Sequence, residues 1–278
     1  MTITSWLQIK EWRRLYQETM ELKDPRFDGY PLMDSPLPML SIVTLYLICI
    51  CFGSLWMRRR GGFELKKVIL TYNCFMVLLS LYLFSWMIFY VWRFGFSLVC
   101  THWITYELEE DFPFAETSVF IVLYSKVIEL MDTMFFILRK HFRQLTFLHV
   151  YHHALTIIIL WLGLRFLPRG PVILFPLLNT FVHTLMYTYY ALTTLGYNMS
   201  RWKKYVTMIQ IAQQTMFLIA CLLYQINDCR YVKTLGKFAV VYVFSLLVLF
   251  FNFYVKSYIR GDRHIEHNSK EVMKRKDE

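Results

Sequence analysis

The chain has 278 residues, of which 56% are hydrophobic, 18% are aromatic and only 18% are charged. This share of charged residues is too low for a water-soluble domain of this size and indicates an integral membrane protein. The formal net charge of +10 resides largely in basic loops, and no interleaving of basic and aromatic residues indicates a nucleic-acid-binding protein.

Seven stretches are apolar and long enough to cross a bilayer as α-helices. In chain order, the predicted spans are residues 37–56, 67–93, 115–138, 145–164, 171–195, 204–226 and 235–256. We therefore predict an all-α integral membrane protein with a single domain. Its parts are a non-cytosolic N-terminal segment (1–31), a seven-helix bundle (about 37–256) and a mobile cytosolic tail (261–278).

The distribution of Lys and Arg predicts the orientation of the bundle. Eighteen of these residues lie in the segments that follow spans one, three, five and seven, and six lie in the opposite loops. The positive-inside rule therefore predicts a cytosolic C-terminus. Cys100 and Cys229 lie in two loops on the non-cytosolic side, where oxidation can occur, but their spacing leaves open whether they form a disulfide. Near the C-terminus, Lys274 and Lys276 resemble the dilysine signal of endoplasmic reticulum membrane proteins.

Polar residues occur at helical spacing within four successive spans. They are Lys126, Glu129, Asp132 and Thr133 in span three; His149, His152 and His153 in span four; Asn179, His183, Tyr187 and Tyr190 in span five; and Thr207, Gln210, Gln213 and Gln214 in span six. Each set occupies one face of its helix. A charged side chain within a bilayer costs about 2.5–3.5 kcal/mol. The stripes are therefore predicted to face a common polar interior.

The histidines are the strongest functional signal, because three imidazoles on one helix face exceed what packing requires. The pair Lys126–Glu129 has the i, i+3 spacing of an ordinary ion pair, so a structural role and a functional role both remain open.

Three chemistries are compatible with these histidines: metal binding, nucleophilic catalysis through an acyl-imidazole, and proton relay in a transporter. The spacing HxxHH resembles a histidine box of membrane di-iron oxygenases and desaturases. Only four of the eight histidines are well placed in spans, so a di-iron site lacks ligands. A single zinc remains open, but we predict no metal and no cofactor.

The four motifs "KVIELMDT", "QLTFLHVYHH", "NTFVHTLMYTYY" and "WKKYVTMIQIAQQ" resemble, in order and spacing, the signature boxes of the very-long-chain fatty acid elongases. The resemblance covers about residues 24–260. It implies a 3-oxoacyl-CoA synthase of the endoplasmic reticulum membrane that condenses malonyl-CoA with a long-chain acyl-CoA and releases carbon dioxide and coenzyme A. It also implies a fold of seven helices, six of which surround an acyl-chain tunnel.

Matching the motifs residue by residue assigns the reaction to the histidine box. We hypothesise that His152 attacks the acyl thioester while His149 and His153 orient it or move its proton. His183, with Asn179 and Tyr187, would stabilise the enolate of malonyl-CoA. Glu129 and Asp132 would fix imidazole tautomers, and Lys126 would balance their charge. The remaining predicted substrate-binding residues are Tyr190, Gln210, Gln213, Lys203 and Lys204, the two lysines being candidates for contacts with coenzyme A phosphates.

The resemblance also implies partners, namely the 3-oxoacyl-CoA reductase, 3-hydroxyacyl-CoA dehydratase and enoyl-CoA reductase of the elongation cycle. Membrane lipid surrounds the chain, and a homo-oligomer remains open. The alternatives to a synthase are a di-iron oxygenase or, outside enzymes, a seven-span transporter or receptor.

Overall fold

The apolar stretches of the sequence form α-helices in the computed structural model, which describes residues 16–17, 20–21, 23, 27–94, 113–166, 173–227 and 233–260. The principal helices are α1 (Pro36–Arg58), α2 (Lys66–Phe94), α3 (Pro113–Ile128), α4 (Leu130–Leu138), α5 (Phe147–Phe166), α6 (Leu174–Leu195), α7 (Ser200–Ile226) and α8 (Lys233–Tyr254). A 3₁₀ turn, Phe142–Gln144, precedes α5, and a π-helical segment, Val255–Arg260, continues α8. The described residues contain no β-strand.

Five helical stretches in the described residues are long and apolar enough to cross a membrane. They are Pro36–Arg58, Lys66–Arg93, Phe147–Phe166, Ser200–Ile226 and Leu235–Arg260. These stretches confirm an all-α, multi-pass membrane protein and correspond to the first, second, fourth, sixth and seventh predicted spans.

The fifth predicted span, 171–195, is not one of the five. Residues 171 and 172 lie outside the described part of the chain, and α6 begins at Leu174. The helix has 22 residues, which is long enough to span, but its many threonines and tyrosines, with Asn179 and His183, make it less hydrophobic than the others.

The third predicted span, 115–138, was wrong as one uninterrupted helix, because the structure divides it into α3 and α4 at Glu129. At this point the Asp132 amide bonds to the carbonyl of Glu129, 3.1 Å away, rather than to the carbonyl of Ile128. The Ile128 carbonyl instead accepts a hydrogen bond from the Tyr72 hydroxyl, at 3.4 Å. The helix is therefore tightened by one i→i+3 turn, a feature that often marks functional positions.

The helices contact one another in a closed cycle. Around this cycle, α2 packs against α3, α3 against α5, α5 against α8, α8 against α7, α7 against α6, and α6 against α2. Helix α1 packs mainly against α4 and α5 and is not part of the cycle. This arrangement encloses the faces that carry the four polar stripes.

Two loops predicted to lie on the same side of the membrane do meet in the structure. The Phe63 amide donates to the Leu138 carbonyl, at 3.0 Å, and Lys140 Nζ donates to the Arg60 carbonyl, at 2.9 Å. Close packing also favours Gly62 here, since a Cβ would lie 3.2 Å from the Arg139 carbonyl oxygen, which is a tight contact. The basic ends of α1 and α4 therefore share one face of the bundle.

At the opposite end, residues 27–35 fold onto α3 and α5. Met33 is fully buried there in a cluster with residues of α1, α3 and α5. The Trp161 indole donates to the Leu32 carbonyl, at 2.9 Å, and the Tyr124 hydroxyl donates to the Pro31 carbonyl, at 3.3 Å. Ser35 then caps α1 by accepting from the Leu37 amide. This segment therefore anchors the start of α1.

An ion pair joins this segment to the end of α5. Arg165 is fully buried, and its Nη2 lies 2.5 Å from Asp28 Oδ1. Lys23 approaches the same oxygen to 2.9 Å from the solvent side. The hydrogen bond from Arg165, and then that from Lys23, hold the pKa of Asp28 below its ordinary value.

Replacing Asp28 by Asn should lower the Tm by a few degrees at neutral pH, because the buried Arg165 loses a carboxylate partner. A lowered pKa in the folded state stabilises the protein above the ordinary carboxyl pKa of about 4. This contribution is lost as pH falls through the folded-state pKa of Asp28, so the Tm difference should shrink on acidification. Thermal unfolding in detergent measures both effects.

Lys23→Met is the control, since it removes an exposed partner of Asp28 and should leave the Tm nearly unchanged. Equal Tm values for the wild type and Asp28→Asn at pH 7 would contradict the prediction.

Candidate active site

The polar stripes predicted from the sequence are largely buried within the bundle. Side chains less than a tenth exposed include Lys126, Glu129, Asp132, Thr133, His153, His183, Thr207, Gln213 and Gln214. His149 and His152 are partly buried. Because buried polar groups require partners, their contacts reveal how the interior is organised.

Glu129 is the centre of a buried charged group at the junction of α3 and α4. Its Oε1 lies 2.7 Å from Lys126 Nζ and 3.1 Å from His183 Nδ1. The second contact has the distance of an ion pair without the alignment of a hydrogen bond. Lys126 Nζ also lies 3.5 Å from His183 Nε2. These three residues form a compact unit that joins α3 to α6.

Asp132 belongs to a separate set of hydrogen bonds. Its Oδ2 accepts from the Tyr187 hydroxyl at 2.7 Å, and the Tyr187 ring is fully buried. The Tyr187 hydroxyl lies 3.4 Å from that of Tyr72, which also donates to the Ile128 carbonyl. The Asp132 carboxylate therefore contacts a phenol, whereas Glu129 is the carboxylate beside an imidazole.

The three histidines of the box lie together on the first two turns of α5. The ring centroids of His149 and His153 are 4.3 Å apart, and those of His152 and His153 are 5.2 Å apart. His149 Nε2 lies 2.8 Å from Thr133 Oγ1, and this hydroxyl lies 2.9 Å from that of Tyr46 on α1. The box is thus linked by a chain of hydroxyl groups to a helix outside the cycle.

His152, like His153 but unlike His149, has no hydrogen-bonded side-chain partner within the described part of the chain. Its ring lies edge-on to Phe250 of α8, with centroids 6.3 Å apart. Lys126, Glu129 and His183 are near enough to act on its charge. An imidazole with an uncommitted lone pair beside a charged network has the properties of a nucleophile.

The remaining predicted binding residues extend from this centre towards one end of α7. Asn179 Oδ1 and Gln213 Oε1 are buried and have no hydrogen-bond partner among the described residues. Gln210 donates only to the Met186 sulfur, at 3.5 Å, and the Tyr190 ring lies 6.0 Å from that of Tyr187. These amides thus have unused capacity for hydrogen bonds in the interior.

Lys203 and Lys204 lie on the exposed first turn of α7. The ammonium of Lys204 lies 5.9 Å from the centre of the Tyr254 ring. At a helical rise of 1.5 Å per residue, Lys203 is roughly 15 Å along the helix from Gln213. The two lysines are therefore not part of the buried centre.

Two further sequence-based expectations concern a disulfide and a metal site. Cys100 and Cys229 lie outside the described residues. Within the described residues, no three His, Cys, Asp or Glu side chains converge as a metal site. The histidine rings instead contact one another, Thr133 and Phe136.

The sequence did not single out Tyr46 or Tyr72. Tyr46 is the only tyrosine of α1 and Tyr72 is one of three in α2, and neither belongs to one of the four polar stripes. Tyr46 follows Met39 and Val43 at helical spacing, and all three are buried on one face of α1. The only available signal was a tyrosine on that buried face, where its hydroxyl needs a partner.

Known proteins resemble this chain over most of its length. The sequence profile of the ELO: GNS1/SUR4 family matches residues 31–266. Very long chain fatty acid elongase 4 of Homo sapiens is 35% identical over 246 residues, covering 87% of this chain and 78% of that protein. Very long chain fatty acid elongase 5 of Tachysurus fulvidraco is 35% identical over 249 residues, covering 87% and 83%. Very long chain fatty acid elongase 5 of Xenopus tropicalis is 36% identical over 242 residues, covering 85% and 80%. The profile and these relatives span nearly the whole helical bundle, and the chain belongs to the ELO: GNS1/SUR4 family.

Proposed function

We propose that this chain is the condensing enzyme of fatty acid elongation, a very-long-chain 3-oxoacyl-CoA synthase. It joins malonyl-CoA to a long-chain acyl-CoA and forms 3-oxoacyl-CoA, carbon dioxide and coenzyme A. Membership of the family and the elongase relatives support the reaction class. The observation that carries the mechanism is the His152 imidazole, which has no hydrogen-bonded partner in the described chain and lies beside His153, whose ring in turn contacts that of His149.

The first half of the reaction transfers the acyl group to the protein. A ring nitrogen of His152 attacks the thioester carbonyl, a C–N bond forms and the C–S bond breaks. The proton on the other ring nitrogen then leaves and protonates the departing thiolate, so that an acyl-imidazole and coenzyme A result. His149 and His153 orient the thioester or relay this proton. Their rings are in contact, which keeps the path of such a relay short.

The second half forms the carbon–carbon bond. Malonyl-CoA loses carbon dioxide, and the enolate attacks the carbonyl of the acyl-imidazole, which releases His152. His183, Asn179 and Tyr187 on α6 stabilise the enolate by hydrogen bonding. The donor on Asn179 for this role is its Nδ2 group, while its carboxamide oxygen has no partner among the described residues.

The carboxylates act through these groups. Glu129 lies beside His183 and orients its ring, while Lys126 balances the charge of Glu129. Asp132 accepts from Tyr187 and fixes the position of that phenol. Glu129 thereby sets the tautomer of the His183 imidazole, whereas Asp132, which contacts a phenol and no imidazole among the described residues, acts by positioning Tyr187.

The helix cycle supports the proposal of seven spans, six of which surround a tunnel for the acyl chain. Lys203 and Lys204 bind the phosphates of coenzyme A at the open end of this tunnel. The amides of Gln210 and Gln213, with Tyr190, contact the arm that leads from the phosphates to the thioester. The reaction itself consumes no cofactor, since both substrates carry the reacting groups.

The cellular setting is also part of the proposal. The enzyme is placed in the endoplasmic reticulum membrane with a cytosolic C-terminus, on the grounds of the basic loops and of Lys274 and Lys276. Its partners are the reductases and the dehydratase that complete each cycle of elongation, and self-association is compatible with this setting.

Replacing His152 by Ala should abolish acyl transfer. Wild-type protein given acyl-CoA alone should release coenzyme A and gain the mass of one acyl group, because the imidazole is the acceptor. The variant should show no adduct, and its condensation rate should fall by about 10³-fold or more. Intact-protein mass spectrometry and a thiol assay measure the two products.

His141→Ala is the matched control, because His141 is exposed and precedes the helix that carries the box. It should retain both the adduct and the activity. An adduct that survives in His152→Ala would contradict the assignment of the nucleophile.

The reaction class is tested with labelled malonyl-CoA and acyl-CoAs of graded length, added to microsomes that contain the protein. A synthase releases labelled carbon dioxide and forms products two carbons longer. Flux of substrate across vesicles without carbon dioxide release would instead identify a transporter. Activity that depends on iron or oxygen and stops with chelators would identify an oxygenase.

Replacing Glu129 by Gln should lower the free energy of unfolding by roughly 3–5 kcal/mol, because Lys126 remains buried without a counter-charge. The double variant Lys126→Met/Glu129→Gln removes both charges and should recover most of this loss. Denaturation in detergent measures stability, and the malonyl-CoA assay measures activity. If the pair only supports packing, the double variant will regain activity together with stability; our mechanism requires that it stay impaired.

A further inference from the structure

Tyr46 connects a helix outside the cycle to the histidine box. Its hydroxyl is 2.9 Å from Thr133 Oγ1, and Thr133 Oγ1 is 2.8 Å from His149 Nε2. Tyr46 is 3% exposed and Thr133 is fully buried, so bulk water does not reach this chain of groups. The three side chains come from α1, α4 and α5, which pack directly against one another or follow one another in the chain.

The donor and the acceptor of each hydrogen bond in this chain follow from the number of partners that each hydroxyl group has. Within the described residues, Thr133 is the only hydrogen-bond partner of the Tyr46 hydroxyl. A buried phenol must donate its proton, so Tyr46 donates to Thr133. The proton of Thr133 can then be donated only to His149 Nε2. A nitrogen that accepts carries no proton, so the neutral ring of His149 carries its proton on Nδ1.

We propose that Tyr46 and Thr133 are positioning residues that hold His149 as the Nδ1–H tautomer. This inference rests on the proposed function and refines the role of His149 in it. His149 then acts as a hydrogen-bond donor, through Nδ1–H, to the thioester oxygen as negative charge develops there. It takes up no proton during the step. The proton released by His152 therefore passes to the thiolate without residing on His149.

The proposal accounts for a feature that the helix cycle alone leaves unexplained. Helix α1 does not belong to the cycle, yet it supplies a buried hydroxyl that reaches the catalytic imidazoles through one threonine. The Thr146 hydroxyl adds a second constraint, since it accepts from the His149 amide at 3.2 Å at the start of α5. The backbone at His149 and the protonation of its ring are thereby both constrained.

A second pair of tyrosine and threonine hydroxyls in the chain provides a control for a purely structural role of the Tyr46–Thr133 hydrogen bond. Tyr242 on α8 is also buried, at 8% exposed, and its hydroxyl lies 2.6 Å from Thr156 Oγ1 on α5. This pair of hydroxyls also joins two helices, with Thr156 partly buried. Its threonine contacts no histidine in the described residues. Tyr242→Phe therefore removes the same kind of bond without touching an imidazole.

The first test reads the tautomer directly. Protein labelled with ¹⁵N in its histidine rings is studied by NMR in nanodiscs, and the His149 signals are assigned by their loss in His149→Gln. We expect Nδ1–H in the wild type and in Tyr242→Phe, and a mixture of tautomers in Tyr46→Phe, where the Thr133 hydroxyl is free to accept. A wild-type signal from Nε2–H, or an unchanged signal in Tyr46→Phe, would overturn the proposal.

The second test measures the rate of coenzyme A release in a single turnover with acyl-CoA. Tyr46→Phe should slow it by about five- to tenfold with little change in the KM for acyl-CoA, as expected for one hydrogen bond. Thr133→Val should slow it more, Thr133→Ser should restore it, and Tyr46→Phe should add little to Thr133→Val. A loss in Tyr46→Phe no greater than in Tyr242→Phe would overturn the positioning role.

The two tests separate this inference from the function on which it rests. If the wild type releases no coenzyme A although His149 shows Nδ1–H, the proposed function fails and the hydroxyl chain stands as a structural feature only. If coenzyme A is released but the tautomer does not respond to Tyr46→Phe, the function stands and the inference fails.

Discussion

A carboxylate buried in a membrane protein must be neutralised, and the placement of Glu129 shows what that requires. Lys126 on the preceding turn and His183 on another helix both approach one oxygen of Glu129. An isolated charge at this depth would cost several kcal/mol, so α3 and α6 cannot separate without a large penalty. The position of α6 in turn determines where Tyr187 and Asn179 lie, and Tyr187 reaches Asp132 and Tyr72. The interior is thus organised outward from this one charged group.

The interior divides into an ionic side and a neutral side. Lys126, Glu129 and His183 form the ionic side, whereas the one hydrogen bond of a histidine-box ring within the described residues joins His149 to the Thr133 hydroxyl. This division suits a reaction in which an imidazole must keep a lone pair while a negative charge appears on a neighbouring substrate. A carboxylate in direct contact with His152 would instead favour a protonated ring, which cannot attack a thioester.

Much of this architecture could be predicted because composition and periodicity are strong signals. Five spans, the burial of the stripes and the family were all readable from apolar length and from the spacing of polar residues. The division at Glu129 was not, since neither proline nor glycine marks it, and it depends on a hydroxyl from α2. The partner of Asp132 was also unpredictable, because Tyr187 and the histidines share the same polar character and only packing selects between them. Tyr46 and Tyr72 were missed because neither belongs to a stripe of polar residues at helical spacing.

The hydrogen bond from Tyr72 to the carbonyl of Ile128 has a consequence for how such proteins diverge. The acceptor is a backbone atom, which every amino acid at position 128 supplies equally. Position 128 can therefore drift among apolar residues without disturbing the junction, while loss of the hydroxyl at position 72 leaves a carbonyl exposed to hydrocarbon. Natural variants should accordingly keep tyrosine at 72 and vary at 128. A single hydrogen bond thus constrains the amino acid at one of its two positions and not at the other.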